Sequence, residues 1–506
     1  QPKVAPADAR AENAGDGGAP GGANLEFTAP APQAEVNFGY DPVTHLLTIG
    51  AAAGPKGNLN QEKGYWLAED LLAWDAAGPD DTYTLHYAEF GGLGIDETGV
   101  TGADGMLALS YDPAGIPADV AAKFPHLAGY DALRLDPADL AMVPDILKGQ
   151  MAIAVADPAG DPIDATGLQI PGVLDDLYSY DGMLGATFEP DPVLRVWAPT
   201  ARYLTLHLFA DADPATLSTT VPMTGDPATG VWTAIGDATW EGMYYLYEVE
   251  VFVPETGAVE FNLVSDPYSL GLSANSARSL IVDLAAPATM PAGWESFAKP
   301  ALAVPEDIVI YELHVRDFSI FDETVPADLR GTFAAFTQSG SDGMQHLARL
   351  ADAGLTHVHL LPVFDIATIE EIEALRLEPD PALLATFPPD SDQQQAAVAA
   401  VEDADGFNWG YDPWHYTTPE GSYSTDPDGI TRTVEFREMV KSLNEAGLRV
   451  VMDVVYNHTS NSGQADNSVL DRIVPGYYHR LSSDGSLETS TCCANTATEH
   501  DMMGKL

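Results

Sequence analysis

The chain has 506 residues, enough for several domains, and 45% of them are hydrophobic, so it can bury large cores. Its 76 acidic residues outnumber 22 basic ones and give a formal net charge of −54. Such a surface repels nucleic acids and anionic lipids, because both are bound through Lys and Arg, whereas it suits a neutral ligand or a salty medium. We therefore exclude nucleic-acid partners. No apolar run approaches the ~20 residues of a membrane span, so no transmembrane segment is predicted.

The N-terminal third of the sequence falls into two regions of different composition. Residues 1–40 are rich in Ala, Gly, Pro and acidic side chains, which predicts a linker or tail because they cannot bury enough apolar surface to order themselves. Residues 41–185 alternate short apolar patches, such as YTLHYAEF and MAIAVA, with Gly, Pro and Asp turns, which predicts a β-rich domain. Since the sequence starts at Gln1 with no signal-peptide pattern, we expect a processed chain or a fragment.

Residues 186–290 carry the clearest strand pattern. In RYLTLHLF, the residues Leu204, Leu206 and Leu208 share one face. In YYLYEVEVFV, tyrosines and valines alternate with glutamates, and a PETG turn leads into the next strand, AVEFNLV. This pattern predicts an antiparallel β-sandwich with one face in water.

Residues 300–506 show a different alternation, of strands with helices. The apolar run IVIYELHV predicts a parallel strand buried on both faces. Apolar residues recur at helical spacing in DGMQHLARLADAG and RTVEFREMVKSLNEAG, and Gly354 and Gly447 are placed to end these helices. Each helix runs directly into a strand, THVHLLPVF or LRVVMDVVY. The alternation predicts βα winding, either as a doubly wound sheet or as a (β/α)8 barrel.

Polar and aromatic residues collect where these strands end, which is where βα folds bind ligands. The second strand ends at Asp365, and the third carries Asp453 in an apolar run and ends at Asn457 and His458. The stretch FNWGYDPWHYTTPEGSY (407–423) has neither helical nor strand periodicity and is predicted to form a loop at the same rim. Aromatic rings cover the C–H faces of a sugar, while Asp, Asn and His bond its hydroxyls, so the combination indicates a carbohydrate ligand.

Each of these residues also has a structural explanation. Trp409, Tyr411 or Trp414 taken singly could simply pack the loop onto the sheet, whereas the whole cluster favours ligand contact. A carboxylate within an apolar strand needs a partner, so Asp453 is expected to be buried against the backbone or an Arg and to support the site rather than react. His458 could be a satisfied core histidine, but its position just past a strand end favours substrate contact.

Two further patterns are weak. Cys492 and Cys493 are the only cysteines, and a bond between neighbours would close a small strained ring, so the preferred interpretation is two buried thiols. The stretch STDPDGITRTVE (424–435) partly imitates a calcium loop, but it lacks the first acid and an entering helix, which favours a turn into the next helix. The metal content stays open, with calcium as the one candidate ion.

Several segments together resemble one enzyme family. DVVYNH (453–458) is similar to the first of four short motifs of glycoside hydrolase family thirteen, the α-amylase family, and NWGYDP in the aromatic loop narrows the resemblance to debranching members. The strand LLPVFD and the Cys-Cys segment TCCANTATEH narrow the resemblance further to type I pullulanases, which VIYELHVRDFS also resembles. Residues 186–285 resemble the carbohydrate-binding module of family forty-eight that precedes such barrels, and residues 60–180 resemble the pullulanase domain before it.

This resemblance implies a fold and an activity. The expected fold is multidomain, with an N-terminal β-rich domain and a β-sandwich followed by the first part of a (β/α)8 TIM barrel. The expected activity of the full-length protein is retaining cleavage of α-1,6-glucosidic linkages in pullulan, amylopectin and limit dextrins, with no required cofactor. We expect an α-glucan partner, a monomer, and a location outside the cell or at its surface. The alternatives are an isoamylase-like or glycogen-debranching enzyme, a non-catalytic starch-binding protein, or an acidic structural protein of a halophile.

The resemblance also implies roles for individual residues. Tyr411 would stack on the glucose at the cleavage point, and His458 would bond the hydroxymethyl oxygen of that glucose. Asp453 would brace the site from within, and Asn457 would hold the loop after the third strand. The remaining predicted substrate-binding residues are Trp409, Asp412 and Trp414.

The catalytic acids of the family have no counterpart in this sequence. Family members place a nucleophilic Asp after the fourth strand, an acid Glu after the fifth and another Asp after the seventh, whereas three strands can be counted here before DMMGKL, inside an expected third crossover helix. A retaining glycosidase needs two carboxyl groups about 5 Å apart. We therefore expect this segment to be inactive alone, with the nucleophile and the acid/base beyond Leu506.

Overall fold

The computed structural model describes residues 56–76, 78–490 and 492–506, together with the backbone of four short strands nearer the N-terminus. These strands are β1 (Arg10–Gly15), β2 (Asn24–Glu26), β3 (Val36–Tyr40) and β4 (Leu47–Ala51). β1 pairs with β2 and β3 pairs with β4, both antiparallel. The predicted linker at residues 1–40 lies mostly outside the described residues and stays a prediction.

The first domain is built on an eight-stranded sheet. Its strands and those of a small hairpin beside it are β5 (Gly64–Ala68), β6 (Leu71–Trp74), β7 (Thr82–Ala88), β8 (Gly94–Asp96), β9 (Gly99–Thr101), β10 (Gly105–Asp112), β11 (Asp131–Leu135), β12 (Gln150–Ala156), β13 (Pro162–Thr166) and β14 (Leu168–Gln169). The sheet order is β13-β12-β7-β10-β11-β6-β5-β14, and β8 pairs with β9. The helices are α1 (Ala118–Lys123), α2 (Val143–Ile146) and α3 (Pro171–Tyr178). Alternation along β7 buries Tyr83 and Leu85 between partly exposed neighbours, as expected for a sheet with one wet face.

The second domain is the predicted β-sandwich. Its strands are β15 (Gly185–Phe188), β16 (Pro192–Trp197), β17 (Ala201–Phe209), β18 (Thr219–Pro222), β19 (Thr224–Gly225), β20 (Val231–Ile235), β21 (Tyr244–Val253), β22 (Ala258–Val264) and β23 (Ser279–Leu280). One sheet has the order β15-β16-β20-β19, and the other has β18-β17-β21-β22 with β23 also on β21. Leu204, Leu206 and Leu208 are all buried, so the predicted inward face of β17 is confirmed.

The third region winds strands and helices around a parallel sheet. Its strands are β24 (Ile310–Leu313), β25 (His357–Leu360), β26 (Phe364–Ile366), β27 (Pro413–Pro419) and β28 (Arg449–Met452). Its helices are α4 (Val315–Ser319), α5 (Asp342–Asp352), α6 (Pro381–Leu384), α7 (Gln393–Ala399), α8 (Thr431–Glu445), α9 (Leu470–Ile473) and α10 (Asp501–Lys505). The parallel order is β24-β25-β28. As predicted, α5 and α8 each end shortly before a glycine with positive φ, +111° at Gly354 and +85° at Gly447.

The burial predicted for the first parallel strand is wrong. Ile310 and Tyr311 are 55% and 39% exposed, and Met452 on β28 is 42% exposed. Within the described part of the chain, β24 and β28 each pair with β25 alone, so both are edge strands. Edge position removes the cover that a central parallel strand has, which is why an apolar run here is open to solvent.

The C-terminal part of the chain, from Val469 onward, packs on the accessory domains rather than on the parallel sheet. Tyr477, Tyr478 and Met502 are buried in the apolar cluster that contains Trp197 of the sandwich, with 4.6 Å between the ring centroids of Trp197 and Tyr477. The last helix, α10, therefore differs from the expected barrel crossover helix. Among the described residues, no helix is long and apolar enough to cross a membrane.

Candidate functional site

The loop 407–412 lies over the carboxyl ends of the three parallel strands. His314 follows β24, and its Nε2 lies 2.7 Å from the carbonyl oxygen of Asn408. Gly410 passes close to the end of β25 with a φ of +91°, where an added Cβ would stand 2.8 Å from the carbonyl oxygen of Pro362. Only glycine fits this approach without strain. The loop is thus fixed at its centre by backbone geometry and at its start by a histidine.

Tyr411, Asp453 and His458 meet on the far side of this loop, beside β28. The Tyr411 hydroxyl donates a hydrogen bond of 2.7 Å to Asp453 Oδ2. His458 Nε2 lies 2.8 Å from the carbonyl oxygen of Tyr411, so Nε2–H donates and Nδ1 carries the free lone pair. Burial, followed by the hydrogen bond to Asp453, raises the pKa of Tyr411 to about 12, so its hydroxyl stays a donor. The predicted aromatic and histidine components are therefore brought together.

The environment of Asp453 differs from the expectation. We expected a buried carboxylate held by the backbone or an Arg, but Asp453 is half-buried, follows the last residue of β28 and is held by the Tyr411 hydroxyl. The apolar run after Met452 leaves the sheet instead of continuing it, which exposes the carboxylate. Asn457 is exposed, and its carbonyl oxygen accepts a 3.0 Å bond from the Thr496 amide.

The other three predicted substrate-binding residues occupy different environments. Trp409 is 63% exposed, so its ring is available at the rim. Trp414 packs partly buried against the main apolar cluster and stacks on His415, 5.9 Å between ring centroids. Asp412 Oδ2 accepts hydrogen bonds from Thr368 Oγ1, at 2.6 Å, and from Asn408 Nδ2. The contacts of Trp414 and Asp412 hold the loop in shape, whereas Trp409 and Tyr411 present aromatic surface.

The prediction that all of 407–423 is a loop is wrong, because its second half forms β27. This strand pairs with β26, placing His415 opposite Asp365. His415 Nδ1 lies 2.7 Å from Asp365 Oδ2, and His415 Nε2 lies 2.8 Å from the Ser265 hydroxyl of the sandwich. Asp365, which we expected at the rim, is fully buried here. Asp365 thus holds β26 and β27 together through its bond to His415.

Asp365 belongs to a buried cluster of three carboxyl groups arranged around one arginine. Glu371 and Glu420 have carboxyl oxygens within 4.8 Å of Asp365 and of each other. Arg432 Nη2 lies 2.8 Å from Glu371 Oε2, and Arg432 Nη1 lies 3.6 Å from Asp365 Oδ1. Burial and the neighbouring carboxylates raise the pKa of Glu420 to about 8, so this group is protonated at neutral pH. Because Arg432 already supplies the counter-charge, the cluster works as an internal brace.

The sandwich domain inserts into this cluster. Asn275 and Ser276 have φ angles of 51° and 52°, rare for residues other than glycine. The Ser276 hydroxyl lies 2.6 and 2.7 Å from the two carboxyl oxygens of Asp365. The backbone amide of Asn275 donates a 2.7 Å hydrogen bond to Glu371 Oε2. The turn thereby satisfies buried carboxylates that belong to the third region. The sandwich and the paired strands β26 and β27 are coupled through buried hydrogen bonds to carboxyl groups.

The cysteine prediction is also wrong. Cys492 and Cys493 form a disulfide, and Cys492 is exposed while Cys493 is half-buried. A ring nitrogen of His458 and the two sulfur atoms all lie within 4.8 Å of one another. The pair therefore forms part of the wall beside the candidate site.

Comparisons with known proteins agree with this architecture. The Pullulanase N2 domain model matches residues 61–176, and the model of carbohydrate-binding module 48 (isoamylase N-terminal domain) matches residues 183–269. The chain is 43% identical over 448 residues to pullulanase 1, chloroplastic, of Arabidopsis thaliana, covering 88% of this chain and 46% of that protein. It is 38% identical over 493 residues to a pullulanase of Klebsiella pneumoniae, covering 88% of this chain and 44% of that one. The chain is a homologue of pullulanases.

Solved structures extend the similarity of this pullulanase homologue to three dimensions. The apo pullulanase of Klebsiella pneumoniae superposes with a TM-score of 0.83 at 35% identity, covering 90% of this chain and 52% of that chain. The same enzyme complexed with maltotriose gives a TM-score of 0.83 at 35% identity, covering 90% and 46%. The predicted fold class is therefore confirmed. The chain spans about half the length of the curated relatives it matches.

Several residues that shape the site of this pullulanase homologue were not identified from the sequence alone. His314 holds the aromatic loop and His415 holds β27 in place, while Arg432 donates to the carbonyl of Pro419 at the end of β27 and Ser276 binds Asp365 from another domain. The partners in these hydrogen bonds lie 13 to 94 residues away in the sequence, and Ser265, which also bonds His415, lies 150 residues away. One usable signal was the polar stretch PEGSY within the aromatic segment 407–423, which contains Glu420.

Proposed function

We propose that the whole protein is a debranching glycoside hydrolase that cleaves α-1,6-glucosidic linkages in pullulan, amylopectin and limit dextrins with retention of configuration. The observation that carries the proposal is the similarity to pullulanases over 88% of this chain, together with an aromatic loop over the strand ends. The maltotriose complex of the Klebsiella pneumoniae pullulanase supports an α-glucan as the ligand class.

In this proposal the chain supplies substrate contacts, while the reacting carboxyl groups are outside it. Tyr411 and Trp409 offer aromatic faces to a glucose ring. His458 Nδ1 offers an acceptor to a hydroxyl, and Asp453 holds the Tyr411 ring in position through the 2.7 Å hydrogen bond. Asp365, Glu371 and Glu420 are fully or almost fully buried among protein partners, which makes them unsuitable for attack on a sugar. We propose that the chain binds glucan without hydrolysing it, and that no cofactor takes part.

A combined binding and activity assay tests this function. The purified chain is run through native gels containing pullulan, and reducing sugar is measured after incubation with pullulan. We expect retardation by pullulan and no release of reducing sugar. Release of maltotriose by this chain would refute the inactive-segment proposal, and migration independent of pullulan would refute the substrate contacts.

The full-length protein separates the debranching classes. We expect it to cleave pullulan faster than glycogen, since the similarity is to pullulanases. Preference for glycogen would instead indicate an isoamylase-like or glycogen-debranching enzyme, and cleavage of neither would indicate a starch-binding protein. We also propose a monomer that acts outside the reducing cytosol, which the Cys492–Cys493 disulfide supports.

A further inference from the structure

The disulfide beside His458 is a chemically reactive group at the site that the proposed function does not use. Cys492 is exposed, so a small thiol reductant can reach its sulfur. The bond links adjacent residues and closes no long loop, so the fold does not depend on it for loop closure. Opening it would leave two thiols within reach of an imidazole.

The backbone holds these groups together independently of the disulfide. A β-bridge joins His458 to Asn495, and the Thr496 amide donates a 3.0 Å bond to the Asn457 carbonyl. A second bridge joins Thr489 to Ala494, closing the turn that carries both cysteines. The turn therefore stays beside the histidine when the sulfur–sulfur bond is broken.

His458 is oriented as metal-binding histidines are. Nε2–H donates to the carbonyl oxygen of Tyr411 at 2.8 Å, which fixes the tautomer and leaves the Nδ1 lone pair free. Two thiolates and one neutral imidazole form a ligand set that soft divalent cations prefer over Ca²⁺ or Mg²⁺. Thiolates in a tetrahedral zinc site lie about 3.8 Å apart, a separation that side chains of adjacent residues can span.

We propose that reduction of the Cys492–Cys493 disulfide creates a binding site for a soft divalent cation, Zn²⁺ or Cd²⁺, whose ligands are both cysteine thiolates and the imidazole of His458. Reduction by a dithiol transfers two electrons and two protons to the cysteines and leaves the reductant as its disulfide. Cation binding then releases both thiol protons to solvent and leaves a fourth position open to water. Oxidised protein has no thiolate and does not form the site.

Occupation of the site has a consequence that rests on the proposed function. The cation takes the Nδ1 lone pair of His458, which would otherwise accept a bond from a glucose hydroxyl. Bound cation therefore weakens glucan binding to reduced protein only. Metal binding itself does not depend on glucan, so the two proposals can fail separately.

A cadmium titration of the whole chain tests the metal site. The protein is reduced with a phosphine, freed of reductant without oxygen, and titrated with Cd²⁺ in excess Ca²⁺, which occupies the many surface carboxylates. The thiolate-to-cadmium absorption band is followed. We expect saturation at one equivalent per chain for reduced protein and no band for oxidised protein of the same preparation.

Three variants complete the test. Cys492→Ser combined with Cys493→Ser is expected to abolish the band, and His458→Gln to weaken cadmium affinity at least about tenfold while the band survives. Arg480→Gln, a change at an exposed ion pair nearby in sequence, is the control and is expected to leave affinity unchanged. No saturable band in reduced wild-type protein would overturn the site, and wild-type affinity in His458→Gln would overturn the role of the imidazole.

Discussion

Replacing Arg432 by Met removes the guanidinium from the buried carboxyl cluster that supports strands β26 and β27. The guanidinium is fully buried and donates to Glu371 Oε2 at 2.8 Å, to the Pro427 carbonyl at 2.6 and 2.9 Å, and to the Pro419 carbonyl at 3.1 Å. Methionine has similar length and is compatible with a helix, so the change removes charge and donors while keeping most of the volume.

The expected loss follows from the burial of the groups left behind. Removing one partner of a buried ion pair costs about 3–5 kcal/mol, because the other charge stays buried without compensation. Burial already raises the pKa of Glu371 despite the opposing effect of Arg432, so without Arg432 this carboxyl would either stay charged without a partner or take up a proton, and both cost stability at neutral pH. A loss of this size is a large share of the 5–15 kcal/mol by which domains are typically stable.

The assay compares midpoints of urea unfolding at neutral pH, followed by tryptophan fluorescence. The matched control is Lys441→Met on the same helix, which breaks an exposed pair with Glu445 (3.0 Å) and should cost no more than about 0.5 kcal/mol. Equal midpoints for the two variants would refute the view that the cluster depends on Arg432 for its charge balance.

Three further predictions concern the contact of Ser276 with Asp365, the buried carboxyl of Glu62 and the loop 407–412. Ser276→Ala removes a hydroxyl bonded to the buried carboxylate of Asp365 and should lower the free energy of unfolding by about 1–3 kcal/mol. The control, Ser296→Ala at an exposed serine, should lower it by no more than about 0.5 kcal/mol. Equal losses of the two variants in urea unfolding would contradict this prediction. Burial raises the pKa of Glu62 from 4.5 to about 8, so the native state holds the proton more tightly and wild-type stability falls as pH rises through that window. Glu62→Gln does not titrate, so its stability relative to wild type should rise by up to about 1.4 kcal/mol per pH unit from pH 5 to 8; parallel pH profiles would exclude the shift. Gly410→Ala should destabilise the protein more than Gly447→Ala and should also weaken glucan binding. Both glycines have positive φ, but of the two positions only Gly410 would place an added Cβ 2.8 Å from a backbone oxygen. Equal losses of stability in the two variants would contradict the close approach of the loop at Gly410.

The features predicted correctly from the sequence are those fixed by nearby residues. The apolar spacing of α5 and α8 and the glycines after them lie within one segment, as do the alternating leucines of β17. Burial of β24 depends on which strands flank it, and that information is not in the run IVIYELHV. The strand β27 was hidden because its partner, β26, is short, and because its own sequence, PWHYTTP, is bounded by prolines and buries polar rather than apolar residues.

The candidate site shows the same difference between features fixed by nearby residues and features that depend on distant ones. Tyr411 and His458 could be brought together from motif positions, because both follow strands whose ends must meet. The partners of the buried acids could not be predicted, since Ser276 and Asp365 are 89 residues apart in the sequence and Arg432 and Glu371 are 61 residues apart. The disulfide could not be predicted either, because the adjacency of two cysteines indicates a strained ring but does not show whether the turn that carries them can adopt its geometry.

Titration of the chain with maltohexaose, by calorimetry, tests most directly the claim that the rim above the parallel strands binds α-glucan. We predict saturable binding by wild-type protein, at least about tenfold weaker binding by Tyr411→Ala, and unchanged binding by Tyr203→Ala, which removes a 69% exposed tyrosine from the sandwich. Wild-type affinity in Tyr411→Ala, or loss of binding in Tyr203→Ala alone, would contradict the account and would move the glucan site away from this rim.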